Sequence, residues 1–383
     1  APTEFDEVVL GCIMPSPDEA NIGRVVSLRL GCGEDVPAWT VQRNCGSGMQ
    51  AIDCGVRDIQ SGRAELVLAG GTEAMSRAPL LFGNAMATWL GNLNMARSLP
   101  ERLRVLTRFR PALLTPVIAL IKGLTDPVCG LNMGQTAEVV AHRFGISREQ
   151  MDEYAARSHL RLHAAREEKR LPELEVLYDT DGNFYDHDDG VRPDSSAAKL
   201  AKLRPAFDRE FGRVTPGNSS QITDGAAWVI LASEAAVAKH GLKVMGRIID
   251  SEWAGLSPPQ MGLGPVHAMT PILQRRQLGI SDIDYWEINE AFAAQVLGCV
   301  AAWQDEKYCR EELELPGPPG AIPEDRLNVD GGAIALGHPV GTSGARIVLH
   351  LCHVLAQHGA RRGMAAICIG GGQGGAMLIE RAA

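Results

Sequence analysis

The chain has 383 residues, 45% of them hydrophobic and 22% charged, which is ordinary globular composition and enough for a large core without disulfide or metal staples. Its net charge of −9 argues against a general nucleic-acid binder, and its nine cysteines are scattered and never spaced C-x-x-C, so a secreted disulfide framework and a zinc ribbon are both disfavoured. Glycine is in excess, with 42 residues against a usual share of roughly 7%.

In chain order, apolar runs predict buried strands over 7–12, 64–69, 228–232, 285–288, 364–369 and 376–380. Helical spacing covers 48–61, 290–304 and 344–358. This alternation predicts an α/β architecture. Glu4, Asp6 and Glu7 stand where an export signal would be basic, and no run of 18 apolar residues predicts a membrane span.

A weak internal repeat accompanies the alternation. ELVLAGGTEAM (65–75) and AICIGGGQGGAM (366–377) each read as a strand, a glycine turn and Ala-Met. A glycine-containing turn into a helix precedes each, NCGSGMQAI (44–52) and GHPVGTSGARI (337–347). The pattern predicts a duplicated fold.

Between the halves lies a charged region, 79–216, with helical patterns at 133–144, 147–170 and 197–202; Ser147 and Gln150 form a capping-box pattern. Residues 97–124 stand apart. They carry Arg97, Arg102, Arg104, Arg108, Arg110 and Lys122 against one acid, Glu101, and leave the remainder of the chain at −14. Leu99, Leu103, Leu106 and Phe109 fall at helical spacing, and PALLTPVIALI (111–121) is apolar but too short to span a bilayer. Such a stretch either packs on the protein's own core with arginine stems covering it, or meets a membrane surface or a partner.

Four residues carry candidate chemistry. Cys45 stands at a turn before a helix, where backbone N–H groups and the helix dipole favour a thiolate. His338 sits in a glycine-proline loop and could activate a thiol. Cys368 ends a strand ahead of Gly370-Gly371-Gly372. The G-x-G-x-x-G match there is no dinucleotide fingerprint, because a strand follows where a helix is required. Asn289 opens NEAFAAQ, where an amide could cap a helix or hold a water. His159 and His163 lack the acid of a metal motif, and His350, Cys352 and His353 need not converge, so no metal is expected.

Together NCGSGMQAI, GGTEAM, NEAFAAQ, GGAIALGHPVGTSGAR and CIGGGQGGAM resemble the thiolases, in that family's order and approximate spacing. LNMGQTAE, KLRPAFDRE and TDGAAWVILAS extend the resemblance over essentially the whole chain. Residues 97–124 resemble the insertion of the β-subunits of fatty-acid-oxidation trifunctional complexes, although that subgroup commonly has His where this chain has Asn289. The resemblance implies two βαβαβαββ halves in a five-layer αβαβα sandwich. It places the first half at 1–78 with 215–236, a CoA-covering domain at 79–214 and the second half at 237–383, with the strand and helix that the family usually has before Glu7 missing from this sequence.

It also implies ping-pong thiolysis of 3-ketoacyl-CoA in β-oxidation, with coenzyme A as substrate and no bound cofactor. Cys45 would be the nucleophile, His338 its activator and an oxyanion donor, Cys368 the acid/base, Asn289 the holder of an oxyanion-binding water and Gly370 an N–H donor. Ser220, Arg192, Met133, Met261 and Phe292 match CoA-contacting positions. A biosynthetic acetoacetyl-CoA thiolase and a non-catalytic CoA-binding subunit are the alternatives. A homodimer or homotetramer in the cytoplasm or mitochondrial matrix is implied, with an α-subunit or membrane contact through 97–124.

Overall fold

The computed structural model describes residues 1–382 and contains two four-stranded sheets. The first runs in the order Ala38–Val41, Glu7–Gly11, Leu66–Ala74, Asp224–Ala232; the first three strands are parallel and the last is antiparallel. The second runs Tyr285–Ile288, Arg362–Ile369, Gln373–Arg381, Gly246–Gly255, with a parallel first pair and two antiparallel pairs.

The duplication is visible in these orders. Helix Ser47–Gln60 leads into Leu66–Ala74 as helix Ser343–Gln357 leads into Arg362–Ile369, and an antiparallel strand flanks each. The halves differ at one edge. Gly246–Gly255 covers the far side of Gln373–Arg381, whereas Asp224–Ala232 has no strand on its far side among the described residues and leaves Ile230 exposed.

The two helices lie side by side between the sheets. Met49, Ile52 and Val67 of the first half share one apolar cluster with Ile347, Leu351, Ile367 and Met377 of the second. Burying one such side chain is worth roughly 1.5–3 kcal/mol, so this cluster binds the halves into one body. Contact is close because Gly48 has no Cβ: one there would stand 2.8 Å from the Gly341 carbonyl oxygen. Helix Gly264–Arg276 packs on the outer face of the second sheet and helix Ile22–Leu30 on the first, which completes five layers.

Several sequence expectations need correction. Gly70-Gly71 is not a turn; Leu66–Ala74 runs straight through it. A Cβ at Gly71 would lie 2.0 Å from the Gly341 carbonyl oxygen, so the glycine serves close approach rather than reversal. The glycine turn of the second half is real, with Gly371 and Gly372 at positive φ. The helical spacing of Leu99, Leu103 and Leu106 is realised in a helix. Helix Leu99–Leu106, a short 3-10 turn at Pro111–Leu114, strand Pro116–Ile118 and helix Ala119–Gly123 follow one another, broken where Pro111 and Pro116 remove backbone donors. Strands Ala38–Val41 and Gly246–Gly255 had no counterpart in the sequence reading. The Ser147–Gln150 capping box is present, with both reciprocal bonds made.

Candidate active site

Cys45 stands in a tight elbow after strand Ala38–Val41 and before helix Ser47–Gln60. Asn44 adopts a left-handed backbone with φ 44°, which asparagine tolerates better than most residues. Its Nδ2 donates to the Gly370 carbonyl at 2.8 Å and ties the elbow to the second half. Ser47 Oγ accepts the Arg43 N–H and donates to the Asn44 carbonyl, closing the turn.

Cys45 is half-buried. Burial raises its pKa, and the N–H of Gly370 aimed at it only partly offsets this. The expectation of a depressed Cys45 pKa is therefore overturned: removal from water outweighs the N–H groups and helix terminus that favour a thiolate. At neutral pH the resting residue is a thiol, and it needs a base.

His338 has the properties of that base. It is 7% exposed, and burial first and the nearby Arg346 charge second lower its pKa to about 4. Its Nδ1 lies 2.6 Å from Ser343 Oγ, which in turn reaches the Pro339 carbonyl at 3.2 Å. With Ser343 donating to that carbonyl, Nδ1 carries the proton and donates to Ser343. Nε2, buried and without a protein partner, is left with its lone pair. The His338 N–H donates to the Gln221 carbonyl, and the His338 loop abuts the first turn of the helix after Cys45 through the Gly341–Gly48 contact.

Cys368 and Asn289 stand at the carboxyl ends of neighbouring parallel strands, where open α/β sheets place their chemistry. Cys368 is fully buried and its pKa lies well above the ordinary value, through burial and the proximity of Cys45. Asn289 is fully buried, and neither its Oδ1 nor its Nδ2 has a protein partner. Its N–H donates to the Ala366 carbonyl, two residues before Cys368. A buried amide with both ends free suits a bound water.

Two carboxylates missing from the sequence reading hold these pieces in place. Glu290 accepts from Tyr154 Oη at 3.0 Å, Ser158 Oγ at 2.6 Å and the Ile334 N–H at 3.2 Å, so Asn289 is braced on one side. Glu73 accepts N–H bonds from Ile13, Met14 and Gly341, cross-linking the two halves beneath the site. Both lie inside motifs read for their neighbours, NEAFAAQ and GGTEAM; a carboxylate in an otherwise apolar or glycine-rich run was the available signal. His350, read as bland, is buried among Glu173, Glu287 and Asp330 and anchors the helix that follows the His338 loop.

The expected CoA positions divide. Met133 stands against Gly370, its sulfur 3.3 Å from where a Cβ would be, and Met261 and Phe292 share an apolar cluster with Cys368. The Ser220 N–H donates to the Ala291 carbonyl, one residue before the Gln221 carbonyl that holds His338. Arg192 is exposed, and its backbone N–H donates to His159 Nδ1, away from Cys45. Among the described residues, no three His, Cys, Asp or Glu side chains converge as a metal site.

Comparison with known proteins gives the family. Residues 1–235 match the thiolase N-terminal domain and residues 242–381 the thiolase C-terminal domain. This chain belongs to the thiolase family. It is an acyltransferase of the two-domain thiolase fold. It is 37% identical to the acetyl-CoA acetyltransferase of Shinella zoogloeoides, over 98% of this chain and 88% of that one. It is 38% identical to the 3-ketoacyl-CoA thiolase of Vibrio parahaemolyticus, over 99% and 87%. It is 34% identical to the mitochondrial trifunctional enzyme subunit beta of Bos taurus, over 98% and 78%. Human mitochondrial 3-ketoacyl-CoA thiolase in complex with CoA superposes with a TM-score of 0.83 at 37% identity, covering 100% of this thiolase and 88% of that chain.

The His338 protonation state has a measurable consequence for stability. A histidine held neutral down to about pH 4 when folded, but free to protonate near 6.5 when unfolded, stabilises fully above pH 6.5. That contribution is lost as pH falls from 6.5 towards 4, by about 1.4 kcal/mol per pH unit. Urea unfolding across this window should show a shallower acid loss for His338→Gln than for wild type. Parallel curves would mean that His338 is protonated in the folded protein.

Proposed function

We propose that this thiolase works in the degradative direction, cleaving 3-ketoacyl-CoA with free CoA to acetyl-CoA and a shortened acyl-CoA. The observation that supports it is the half-buried Cys45 thiol beside the buried Cys368, against the Gly370 N–H, with His338 Nε2 and both ends of the Asn289 amide unpartnered. His338 Nε2 takes the Cys45 proton, and the sulfur attacks the 3-keto carbon. The bond between C2 and C3 breaks, and its electron pair leaves on C2 as the acetyl-CoA enolate. Cys368 gives that carbon its proton. Incoming CoA then loses its thiol proton to Cys368, attacks the acyl-Cys45 thioester and releases the enzyme.

The two oxyanions are met by different groups. The enolate oxygen faces His338 and a water held by Asn289, and the tetrahedral oxygen faces the Cys45 and Gly370 N–H groups. Ser220, Met133, Met261 and Phe292 line the pantetheine and acyl path, and Arg192 meets a CoA phosphate. Neutral His338 suits the first of its tasks, since a base already protonated at pH 7 could not accept the thiol proton; carrying that proton, Nε2–H then donates to the enolate oxygen.

The relatives carry both acyltransferase and thiolase names, so acyl length separates the readings. Over a 3-ketoacyl-CoA series from four to sixteen carbons, cleavage should require free CoA and be faster above four carbons. Activity confined to acetoacetyl-CoA would assign the biosynthetic reaction instead.

A further inference from the structure

Trp253 belongs to strand Gly246–Gly255, at the edge of the second sheet, yet its indole meets the Cys45 elbow of the first half. It stands opposite Gly375 in the antiparallel pair with strand Gln373–Arg381. Gly375 has no side chain, and the indole fills the space above it: a Cβ there would lie 2.4 Å from Trp253 Cζ3. Gly374, one residue earlier, pairs with Cys368. The half-buried ring thus rests on the strand pair that carries the second cysteine.

From that seat the indole holds the elbow at three points. Its edge abuts Gly46, the residue after Cys45, where a Cβ would stand 3.2 Å from Trp253 Cζ3 and 2.6 Å from Ile369 Cδ1. Ile369 follows Cys368, so the peptide after Cys45 is wedged between Trp253 and the residue after the other sulfur. Arg43, two residues before Cys45, lays its guanidinium over the indole, 4.3 Å from the ring centroid, in a cation–π contact. The indole N–H donates at 3.0 Å to Asp53 Oδ2, on the helix that follows the elbow. Asp53 is 1% exposed, and its other oxygen accepts from Ser251 Oγ of the same edge strand at 2.6 Å.

We propose that Trp253 is a positioning residue for the thiolase reaction, setting the Cys45 elbow in register with Cys368. The two sulfurs must work on adjacent carbons of one substrate, Cys45 at C3 and Cys368 at C2. They come from different halves of the chain, and sheet hydrogen bonds fix each half only within itself. The Asn44–Gly370 bond ties the elbow to the second half just before Cys45. Trp253 ties it before and after, through Arg43 and Gly46, and anchors the helix behind it through Asp53. Filling a core is the plain alternative for a tryptophan. That role needs neither a hydrogen-bond acceptor nor a cation, and it would not gather three contacts on one elbow and its helix.

The test is steady-state cleavage and urea unfolding of the full chain carrying Trp253→Met or Trp253→Phe. Methionine is apolar and flexible, with neither the flat ring nor the N–H donor. It should lower kcat roughly 10- to 100-fold, the scale on which a small misplacement of reacting groups is felt, while KM for 3-ketoacyl-CoA stays within about threefold. Phenylalanine keeps a ring over Gly375 and under Arg43 and loses only the indole N–H. It should bring kcat back to within about fivefold of wild type. A cooperative urea transition reports that each variant is folded. A core-filling role predicts a lower unfolding midpoint with unchanged kcat per folded molecule. That result in Trp253→Met, or a rise in KM alone, overturns the proposal. If Trp253→Met does not fold, Trp253→Phe decides: a several-fold fall in kcat at unchanged KM supports the positioning, and wild-type kcat overturns it. The positioning rests on the thiolytic reading of the two cysteines, and the two fail differently. No cleavage by wild type fails that reading, whereas full cleavage by wild type and Trp253 variants alike fails the positioning alone.

Discussion

Cys45→Ala should lower CoA-dependent cleavage of 3-ketoacyl-CoA by about 10⁴-fold or more, the scale on which removal of a covalent nucleophile is felt. Folding should survive, because the thiol is only half-buried and alanine leaves the Asn44–Gly370 and Ser47 bonds in place. Incubation with acetyl-CoA followed by mass spectrometry should show an acetyl adduct on wild type and none on the variant. Wild-type turnover by Cys45→Ala would overturn the assignment. An adduct persisting on another cysteine, with turnover lost, would move the nucleophile.

The raised pKa changes what should be expected of Cys45 reactivity. A free thiolate at a helix N-terminus would react readily with iodoacetamide in the resting enzyme. A half-buried thiol of raised pKa that relies on His338 to take its proton should react more slowly than that.

Much of this site was legible in residue type and spacing. Cysteine before Gly-Ser-Gly, histidine in a glycine-proline loop and cysteine at a strand end mark positions whose local backbone dictates the chemistry. The remainder was set by tertiary burial, which spacing does not encode. The elevated Cys45 pKa comes from burial, which outweighs the lowering effect of the Gly370 N–H, a group more than 300 residues away in the sequence. Strand Gly246–Gly255 was hidden because Asp250 and Glu252 interrupt its apolar run; in the structure both carboxylates meet Arg275, and Asp250 also meets Arg276. Gly70-Gly71 looked like a turn because a glycine needed for close approach and a glycine needed for reversal are written with the same letter.

Cys368→Ala should separate the two halves of the reaction. Its sulfur is fully buried, its pKa is far above neutrality, and it sits beside Cys45. Those properties suit a proton donor to carbon and not a second nucleophile, since an un-ionised thiol attacks poorly but can still protonate an enolate, a far stronger base. The variant should therefore lose cleavage by about 10²–10⁴-fold, the usual worth of a general acid, yet still collect an acyl group on Cys45. Solvent deuterium gives an independent reading. Wild type should exchange the C2 protons of acetyl-CoA through the enolate, and Cys368→Ala should not, while Cys368→Ser, an oxygen acid of higher pKa, should exchange slowly. Exchange at the wild-type rate in Cys368→Ala would place the carbon acid elsewhere. Because His338 Nε2 is the only other buried titratable atom of this constellation without a partner, it would then be the group to test.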